Sequence, residues 1–537
     1  MKQIEIPLVP ERDRTYRFFE KVPGLLSWSV LLLPVVLSIL NPTAAAYFVI
    51  AYLLMWLVKA IALNIRMAQG YRRLNQHTAY DWYKMTEELD NPDKAFAKYE
   101  DGISPRWHYK NLIARSVRRN EDTRKLSNLK QLVIIAVYNE SIDIVEPTIQ
   151  SVLKSSFDPK KIILVIGYEQ RAGDKVKEDM TMLAAKYNDK FYSMNAIGHP
   201  NHLPNEVIGK GGNITFAARW AKEYIDSEKI DPMDVLVTTL DADNRPHPEY
   251  LSAAAYAYLG CPDPLRSSFQ PISIYTNNIW DVPAPMRVIA TGNSFWNIAL
   301  ALRPHMIRNF ASHSQGLQSL IHTDFWSTRT IVEDGHQFWR SYFSFDGKYE
   351  VFPIMVPIYQ DAVLSRTYVK TLRAQFIQVR RWAWGASDVA YVLQMGWRRK
   401  NHISKMDMFF KTARLIEGHV SWATASLILL LAAFAPLYLA PQASQSVVAN
   451  QLPIIASRIQ TLAMVGLFTG IYLSIRLLPP KPPRYKMRHR VYMILQWVYL
   501  PITTIVYSGF AALNSQTRLV FGRYLGEFDV TDKVVKK

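Results

Sequence analysis

The feature that most constrains this chain is a long stretch without charge near its beginning. No Asp, Glu, Lys or Arg lies between Lys21 and Lys59. A membrane-spanning helix needs about 20 apolar residues, so the stretch is too long for a single span. Asn41-Pro42 interrupts it with residues that are typical of turns. We therefore predict a hairpin of two membrane helices within residues 24–63.

A cleaved signal peptide is the competing interpretation of this stretch. Ala44-Ala45-Ala46 resembles the small-residue cleavage site of such a leader. We favour the hairpin, because a second apolar segment follows these alanines directly and a signal peptide carries only one short apolar region.

Further apolar segments lie towards the other end of the chain. We predict two membrane helices within residues 418–478, preceded at residues 403–417 by an amphipathic helix on the membrane surface. The last apolar segment, residues 491–513, contains Pro501 and several polar side chains. We predict that it is interfacial or re-entrant, because unsatisfied polar groups are costly in lipid.

The chain is basic, with 63 Lys and Arg against 45 Asp and Glu and a formal net charge of +18. Such an excess is compatible with nucleic acid, an anionic membrane surface or phosphorylated substrates. Much of the positive charge flanks the apolar segments, at Arg12, Arg14, Arg17, Lys21, Lys481, Arg484, Lys486, Arg488 and Arg490. Basic flanks usually lie in the cytoplasm. We therefore expect a multi-pass protein of the plasma membrane with a cytoplasmic middle domain, membrane lipids as partners, and no nucleic acid.

The middle of the chain carries the pattern of a parallel β-sheet. Short apolar, β-branched runs occur at 132–137, 161–166 and 235–240, and helical patterns alternate with them. This alternation predicts an α/β domain whose sheet has helices on both faces. Ligands bind at the carboxyl ends of the strands in such sheets. The polar residues at those ends are Glu140, Glu169, Asp241 and Asp243.

Two carboxylates, Asp241 and Asp243, directly follow one of the buried runs. Because Cys261 is the only cysteine, a cysteine-rich metal site is excluded. Two carboxylates at a sheet edge can hold a divalent cation, which can neutralise a diphosphate leaving group. The alternative is a turn or a solvated loop, which is the commoner fate of an isolated Asp-x-Asp.

A glycine-containing helix start lies upstream, at Lys210-Gly211-Gly212-Asn213. Backbone N–H groups at a helix N-terminus, together with a lysine, can bind phosphate. Helix capping explains the same residues equally well, and the sequence does not distinguish the two.

Two further patterns carry potential chemistry. Glu333-Asp334 precedes a helical stretch, where a carboxylate is often a cap; its functional interpretation is a general base for an incoming hydroxyl. Gln378, Arg381 and Trp382 share a helix face through their spacing. That face offers an amide, a phosphate-binding guanidinium and a ring for stacking on sugar, although an interfacial helix has similar composition.

In this order, the motifs resemble those of family 2 inverting glycosyltransferases, particularly the cellulose synthase and hyaluronan synthase branch. The resemblance runs from about residue 130 to the C-terminus. It implies a GT-A type glycosyltransferase domain with a mostly parallel sheet, inserted between N-terminal and C-terminal transmembrane helices. It also implies Mg²⁺ or Mn²⁺ as the cofactor.

The resemblance assigns a role to each motif. Asp241 and Asp243 bind the nucleotide diphosphate, with Asp243 as metal ligand, and Asp334 is the catalytic base, with Val332 where the family has threonine. Arg381 contacts the donor, while Gln378 and Trp382 clamp the acceptor sugar. The gating-loop motif of the family matches four residues near the chain's end: Phe528, Val530, Thr531 and Lys533.

One position departs from the family pattern. The family usually has an aspartate after its second strand that holds the base of the nucleotide, whereas this chain has Glu169 there. We expect Glu169 and Lys210 to contact the donor, which the resemblance suggests is a uridine nucleotide-sugar.

The expected function is transfer of this sugar to a glycan or lipid-linked acceptor with β-linkage, in polysaccharide synthesis. Two alternatives stay open, namely non-processive transfer to a lipid carrier or glycolipid and a non-catalytic export or assembly subunit. An export or pore subunit is a further possible partner, because few spans are available for a polymer channel.

The predicted organisation has eight parts. They are a cytoplasmic N-terminus (1–23), a transmembrane hairpin (24–63), a helical connector (64–130), the catalytic domain (131–402), an interfacial helix (403–417), two transmembrane helices (418–478), a basic loop with the interfacial or re-entrant segment (479–513) and the gating-loop-like C-terminus (514–537).

Overall fold

The computed structural model describes residues 4–97, 105–118, 122, 124–440 and 446–526. Phe528, Val530, Thr531 and Lys533, the predicted gating-loop residues, lie outside the described residues.

An eight-stranded sheet forms the centre of the described structure. Its strands are β1 (Lys130–Val137), β2 (Ile162–Glu169), β3 (Ser193–His199), β4 (Val235–Asp241), β5 (Arg245–Pro246), β6 (Ser267–Tyr275), β7 (Ser314–Gly316) and β8 (Glu350–Gln360). Their order across the sheet is β3-β2-β1-β4-β7-β6-β8-β5. The pairs β1–β2, β1–β4, β2–β3 and β6–β8 are parallel, whereas β7 and β5 pair antiparallel to their neighbours. The predicted mostly parallel sheet is confirmed.

Helices precede, flank and follow this sheet. Those before it are α1 (Arg14–Leu40), α2 (Pro42–His77), α3 (Trp82–Asp90), α4 (Pro92–Ala97) and α5 (Arg106–Arg118). Those between and after its strands are α6 (Ile142–Leu153), α7 (Asp174–Tyr187), α8 (Lys210–Ser227), α9 (Tyr250–Gly260), α10 (Ala284–Ala301), α11 (Leu317–His322), α12 (Glu333–Ser344), α13 (Tyr368–Ala383) and α14 (Asp388–Leu393). The remaining helices are α15 (Lys405–Leu431), α16 (Ala435–Leu439), α17 (Val447–Leu477), α18 (Arg488–Leu495), α19 (Leu500–Thr503) and α20 (Ala511–Val520).

Apolar side chains on both faces of the sheet explain why helices cover it twice. Val133 and Ile135 of β1 pack with α6 and α9, while Leu132 and Ile134, on the opposite face, pack with α8. Burying each such side chain stabilises the fold by about 1.5–3 kcal/mol. A strand that is apolar on both faces must lie inside the protein, as β1, β2 and β4 do.

Strands β6 and β8 were not anticipated by the sequence pattern. Both contain proline, at Pro271 in β6 and at Pro353 and Pro357 in β8, and proline cannot donate a hydrogen bond to a sheet. The structure accommodates them with a register shift between Pro271 and Ile272. These strands matter for the site, because Tyr275 ends β6 and Asp361 follows β8.

Within the described part of the chain, four helices are long and apolar enough to cross a membrane: α1, α2, α17 and the continuous segment Arg488–Val520, which includes α18, α19 and α20. The predicted apolar helices at both ends of the α/β domain are therefore present. Helix α15 packs beside α1, and the predicted surface helix and the following span are one continuous helix in the structure. Thr43 Oγ1 lies 2.8 Å from Ser446 Oγ, so the ends of α2 and α17 that point away from the sheet meet.

The segment Arg488–Val520 touches the α/β domain at both of its ends. Near its beginning, Trp497 stacks on Phe295 of α10 with ring centroids 6.3 Å apart. Near its end, Leu519 packs with Ile331 and Val332, directly before α12. Its exposed apolar side chains recur every three to four residues, at Val491, Leu495, Val498, Ile502, Val506 and Phe510. The segment therefore lies along the domain with one apolar stripe facing outwards.

The N-terminal segment before α1 packs against the region that precedes and forms α12. Glu5 accepts a hydrogen bond from Arg340 Nη2 at 3.0 Å, and Tyr391 donates to the Ile4 carbonyl at 2.6 Å. Ile4 and Ile6 are buried. Residues 4–6 thus lie on the domain side of α1.

Candidate active site

One cavity at the carboxyl edge of the sheet brings together most of the predicted site residues. Glu169 ends β2 and Asp241 ends β4, on either side of β1. This is where the chain order reverses within the sheet, and ligands of open α/β sheets bind at such a position. The predicted residues that line the cavity are Glu169, Lys210, Asp241, Asp243, Gln378, Arg381 and Trp382.

Lys210 connects the start of α8 to the end of β4. Its Nζ lies 2.6 Å from Asp241 Oδ1, and its side chain is buried. Burial lowers the pKa of Lys210, but the carboxylates of Asp241 and Glu333 raise it more, so that the net pKa lies above the ordinary value. The residue is therefore charged and directed into the site, which favours ligand contact over simple helix capping.

Asp243 is 5% exposed and is held by residues that follow β6 and β8. Its Oδ2 accepts a hydrogen bond from the Asp361 backbone N–H at 3.1 Å, and its carbonyl accepts one from Asn277 at 2.9 Å. These contacts place the carboxylate at the edge of the cavity. The Asp-x-Asp sequence is therefore part of a built site rather than a solvated loop.

Glu333 and Asp334 form the first turn of α12, and neither is its N-cap, which is Val332. Burial raises the pKa of Asp334, while Lys210 opposes that increase. Burial also raises the pKa of the neighbouring Glu333, and the Asp334 charge adds to this effect. Asp334 is in electrostatic contact with Asp241 and Arg381, so it belongs to the same centre although it does not line the cavity itself.

The start of α12 packs tightly against the start of α8. A Cβ on Gly211 would lie 2.3 Å from the Ser327 carbonyl oxygen and 3.1 Å from Glu333 Cβ. No side chain fits there, which explains glycine after Lys210 in physical terms. This close approach is what brings Lys210 within electrostatic range of the Glu333-Asp334 pair.

The helix α13 places its polar and aromatic face over the cavity. Trp382 packs beside Tyr275, with ring centroids 6.2 Å apart, and Gln378 accepts a hydrogen bond from Gln375 at 3.2 Å. Aromatic rings beside a polar cavity are suited to stacking on a sugar face. The helical-face prediction for Gln378, Arg381 and Trp382 agrees with this geometry.

The far end of the cavity carries an ionic cluster at the ends of β2 and β3. Glu169 Oε2 contacts Arg171 Nε at 3.0 Å and His199 Nδ1 at 3.3 Å, and His199 Nε2 lies 3.0 Å from Glu206. Burial lowers the pKa of His199, but the two carboxylates raise it to about 9. Arg171 also lies over the ring of Tyr138, 4.7 Å from its centroid.

Several residues that line the cavity were not predicted from the sequence, namely Tyr138, Arg171, Tyr275 and Asp361. Tyr138 directly follows β1, so the strand-end rule that selected Glu140 could have selected it too. Tyr275 and Asp361 could not be found in this way, because the prolines of β6 and β8 concealed those strands.

The residues present fit a divalent cation. Mg²⁺ is usually held by one or two carboxylates, with substrate phosphates and water as its other ligands. Asp241 and Asp243 provide such a pair, and in the described part of the chain no three His, Cys, Asp or Glu side chains group closely enough to hold a metal alone. A cation here would therefore share its coordination with a diphosphate.

No protein-family model matches the chain, and no curated protein matches it. Among solved structures, it matches the mannosyltransferase PcManGT from Pyrobaculum calidifontis in complex with GDP-Man and Mn²⁺, with 13% identity and a TM-score of 0.39, over 86% of this chain and 100% of that chain. It also matches S. aureus TarS 1–349 in complex with UDP, with 13% identity and a TM-score of 0.35, over 75% of this chain and 95% of that chain.

Proposed function

We propose that this protein is a membrane-anchored inverting glycosyltransferase. It moves a sugar from a nucleotide-sugar, most simply a uridine diphosphate sugar, to an acceptor hydroxyl and forms a β-linkage as part of polysaccharide synthesis. The observation that carries the proposal is the convergence of Lys210, Asp241, Asp243 and Arg381 on one cavity, with Asp334 in electrostatic contact. The resemblance of the motifs to family 2 glycosyltransferases supports the same assignment.

The donor diphosphate lies between Lys210 and Arg381 in this proposal. Asp241 and Asp243 hold Mg²⁺ or Mn²⁺, which supplies further positive charge for the departing diphosphate when it is bound. Lys210 pairs with Asp241 at 2.6 Å in the structure, so part of the cationic charge is already positioned there.

Asp334 acts as the general base. It takes the proton from the acceptor hydroxyl, whose oxygen attacks the anomeric carbon while the bond from that carbon to the diphosphate oxygen breaks. The electron pair leaves with the nucleoside diphosphate, and attack opposite the leaving group converts an α-linked donor into a β-linked product. Burial raises the pKa of Asp334, which makes it a stronger base than an exposed aspartate.

The remaining residues orient the two substrates. Trp382 and Tyr275 provide aromatic surface for the acceptor sugar, and Gln378 provides an amide on the same helix face. Glu169 and Arg171, at the opposite end of the cavity, contact the nucleoside. Arg171 holds the Glu169 carboxylate in place through their ion pair, so the base of the nucleotide meets an ordered pair.

In this proposal α1, α2 and α17, together with the helix α15, provide the membrane spans. Arg488–Val520, although long and apolar enough to cross, lies flat on the cytoplasmic surface. A spanning helix has its ends on opposite sides of the membrane, whereas both ends of Arg488–Val520 contact the catalytic domain. Its outward apolar stripe suits an interfacial position. The catalytic domain, the segment before α1 and the end of α20 are then cytoplasmic at the plasma membrane.

The sharpest test of the proposed base is Asp334→Asn. We expect purified protein to release nucleotide from at least one of the common nucleotide-sugars in the presence of Mn²⁺ and acceptor. The variant should lose this turnover by about a hundredfold or more, because the amide cannot accept the proton. Calorimetry should show that the variant still binds the nucleotide.

Asp324→Asn is a matched control for this experiment. Asp324 is an exposed aspartate of the same domain, 60% exposed at its side chain and paired with Arg219. The control should turn over like the wild type. Normal turnover by Asp334→Asn would show that the base is another residue, and no turnover by the wild type with any donor would count against the function itself.

A second candidate is non-processive transfer to a lipid carrier or glycolipid. The observation that favours it is the start of the clamp helix α13, where Tyr368 and Val369 are 56% and 73% exposed. This apolar surface lies on the same helix as Gln378 and Trp382 and suits a lipid tail. Product length from a labelled donor separates this function from polymer synthesis, for which an export or pore subunit is the expected partner.

A non-catalytic export or assembly subunit is the alternative from a different class. The charged residues that the proposed reaction needs are all present and lie near one another: Lys210, Asp241, Asp243 and Asp334. Their presence favours an enzyme. Slow donor hydrolysis without acceptor would separate the two classes.

A further inference from the structure

Three arginines interact electrostatically where the apolar helices meet the catalytic domain: Arg66 on α2, Arg303 just after α10, and Arg414 on α15. Helices α2 and α10 touch at Gly70, where an added Cβ would lie 2.5 Å from Ile298 Cγ2. Arg66 is one turn before Gly70, and Arg303 lies little more than one turn beyond Ile298. The two arginines therefore lie close to the same contact between α2 and α10, and their charges interact.

An ion pair brings α15 to the same place. Lys59 Nζ of α2 lies 2.8 Å from Glu417 Oε1 of α15. Arg66 is two turns from Lys59, and Arg414 is one turn from Glu417, both in the direction of the catalytic domain. All three arginines thus lie on the domain side of this ion pair.

The cluster has more positive charge than its surroundings balance. Burial lowers the pKa of Arg303, and the charges of Arg66 and Arg414 lower it further. Within the described residues, no carboxylate forms an ion pair with any of these three arginines, and the nearby Glu417 is bonded to Lys59. Like charges held together in this way favour the binding of an anion.

The chemistry and position of the cluster indicate which anion it binds. Guanidinium groups bind phosphate with paired hydrogen bonds. Trp296, on the Arg303 face of α10, is 49% exposed, and Phe410, one turn before Arg414, is 51% exposed. Exposed aromatic residues beside basic ones are typical of the boundary between lipid and water, so a phosphate group of the membrane would lie within reach of the cluster.

We propose that Arg66, Arg303 and Arg414 form a binding site for the phosphate group of an anionic lipid. The site is separate from the catalytic cavity, whose lining includes none of the three. Three elements that are distant in sequence meet there, so a bound headgroup fastens α2 and α15 to the domain through α10. This inference does not depend on the proposed reaction.

The test compares thermal unfolding of the full chain in nanodiscs of phosphatidylcholine with nanodiscs in which about a third of the lipid is phosphatidylglycerol. Wild-type Tm should rise by about 2–4 °C with the anionic lipid, because a ligand that binds the folded state stabilises it. Arg303→Gln should lose most of this rise. In phosphatidylcholine alone, the same variant should unfold at or above the wild-type temperature, because a like-charge repulsion is removed.

Arg219→Gln is the matched control, since it also removes one positive charge. Arg219 is 51% exposed on α8 and paired with Asp324, and it should keep the full rise. Equal rises in Arg303→Gln, Arg219→Gln and the wild type would overturn the site and indicate only general attraction to the membrane. An equal rise with inorganic phosphate in phosphatidylcholine nanodiscs would show a free anion instead of a lipid and would also overturn the proposal.

Discussion

Lys210 is a cation that interacts with three carboxylates of the site. It pairs with Asp241 at 2.6 Å and interacts electrostatically with Glu333 and Asp334. Its cation therefore stabilises the ionised form of each carboxylate. Without it, three acidic side chains would lie close together in a buried place, and protonation would become more favourable.

Replacement of Lys210 by Gln is therefore expected to change the pH dependence of the reaction. Lys210 lowers the otherwise raised pKa of Asp334, so its removal raises that pKa further. A base is active only when deprotonated, and the acidic limb of the profile should move to higher pH by about one unit. Measuring kcat/KM against pH checks this.

Lys222→Gln serves as the control, because Lys222 is an exposed lysine of the same helix, 36% exposed and paired with Asp226. It should leave the acidic limb unchanged. An unchanged limb in Lys210→Gln as well would mean that Asp334 does not set it.

At the scale of elements, a buried hydrogen bond joins α12, which carries the proposed base, to α14, which follows the clamp helix α13. His336 Nδ1 of α12 lies 2.7 Å from Asp388 Oδ1 of α14, which continues from α13. Both side chains are almost fully buried, and the His336 ring packs edge-on against Tyr391. We infer that His336 is a positioning residue that holds Asp334 in register with Arg381 and Trp382.

The substitution His336→Phe keeps the ring and removes the hydrogen bond. We expect kcat to fall at least tenfold, while KM for the donor stays within about threefold, because the base is displaced but the donor pocket is not. Stability should fall by about 1–3 kcal/mol, since Asp388 loses a buried partner. A fall in stability with kcat unchanged would limit His336 to a structural role. The control is His322→Phe, at an exposed histidine.

At the scale of the whole molecule, some helix ends contact the catalytic domain and others lie away from it. These contacts bear on which helices cross the membrane. The N-terminal segment, the end of α2 and both ends of Arg488–Val520 contact the catalytic domain, whereas Thr43 and Ser446 meet at the opposite ends of their helices. The proposed four crossings by α1, α2, α15 and α17 are consistent with these contacts. A fifth crossing by Arg488–Val520 would separate its end from the domain that it touches.

Labelling of introduced cysteines tests this topology. The native Cys261 is buried and should not react. Tyr438→Cys, at a side chain that is 83% exposed beyond the end of α15, should react with an impermeant maleimide on intact cells. Arg523→Cys, an exposed position just after α20, should react only after the cells are opened. Reaction of Arg523→Cys on intact cells would mean that Arg488–Val520 spans the membrane.

Local patterns in the sequence were sufficient for the elements with a strong periodic signal. The predicted runs at 132–137, 161–166 and 235–240 correspond to β1, β2 and β4, and the apolar stretch around Asn41-Pro42 is the α1–α2 hairpin. Strands that are buried on both faces and helices that face lipid must be almost wholly apolar. Their own composition therefore reveals them without knowledge of their partners.

The sequence by itself determined the parallel α/β sheet, the apolar helices on either side of it and the strand-end carboxylates Asp241 and Asp243. Only the tertiary structure decided that Lys210 pairs with Asp241, that Tyr275 and Asp361 belong to the cavity, and that Arg66, Arg303 and Arg414 meet. The physical reason is the separation along the chain of the residues that each feature involves. Periodicity and strand-end position are properties of neighbouring residues, whereas these contacts join segments far apart in the chain and exist only after packing has brought them together.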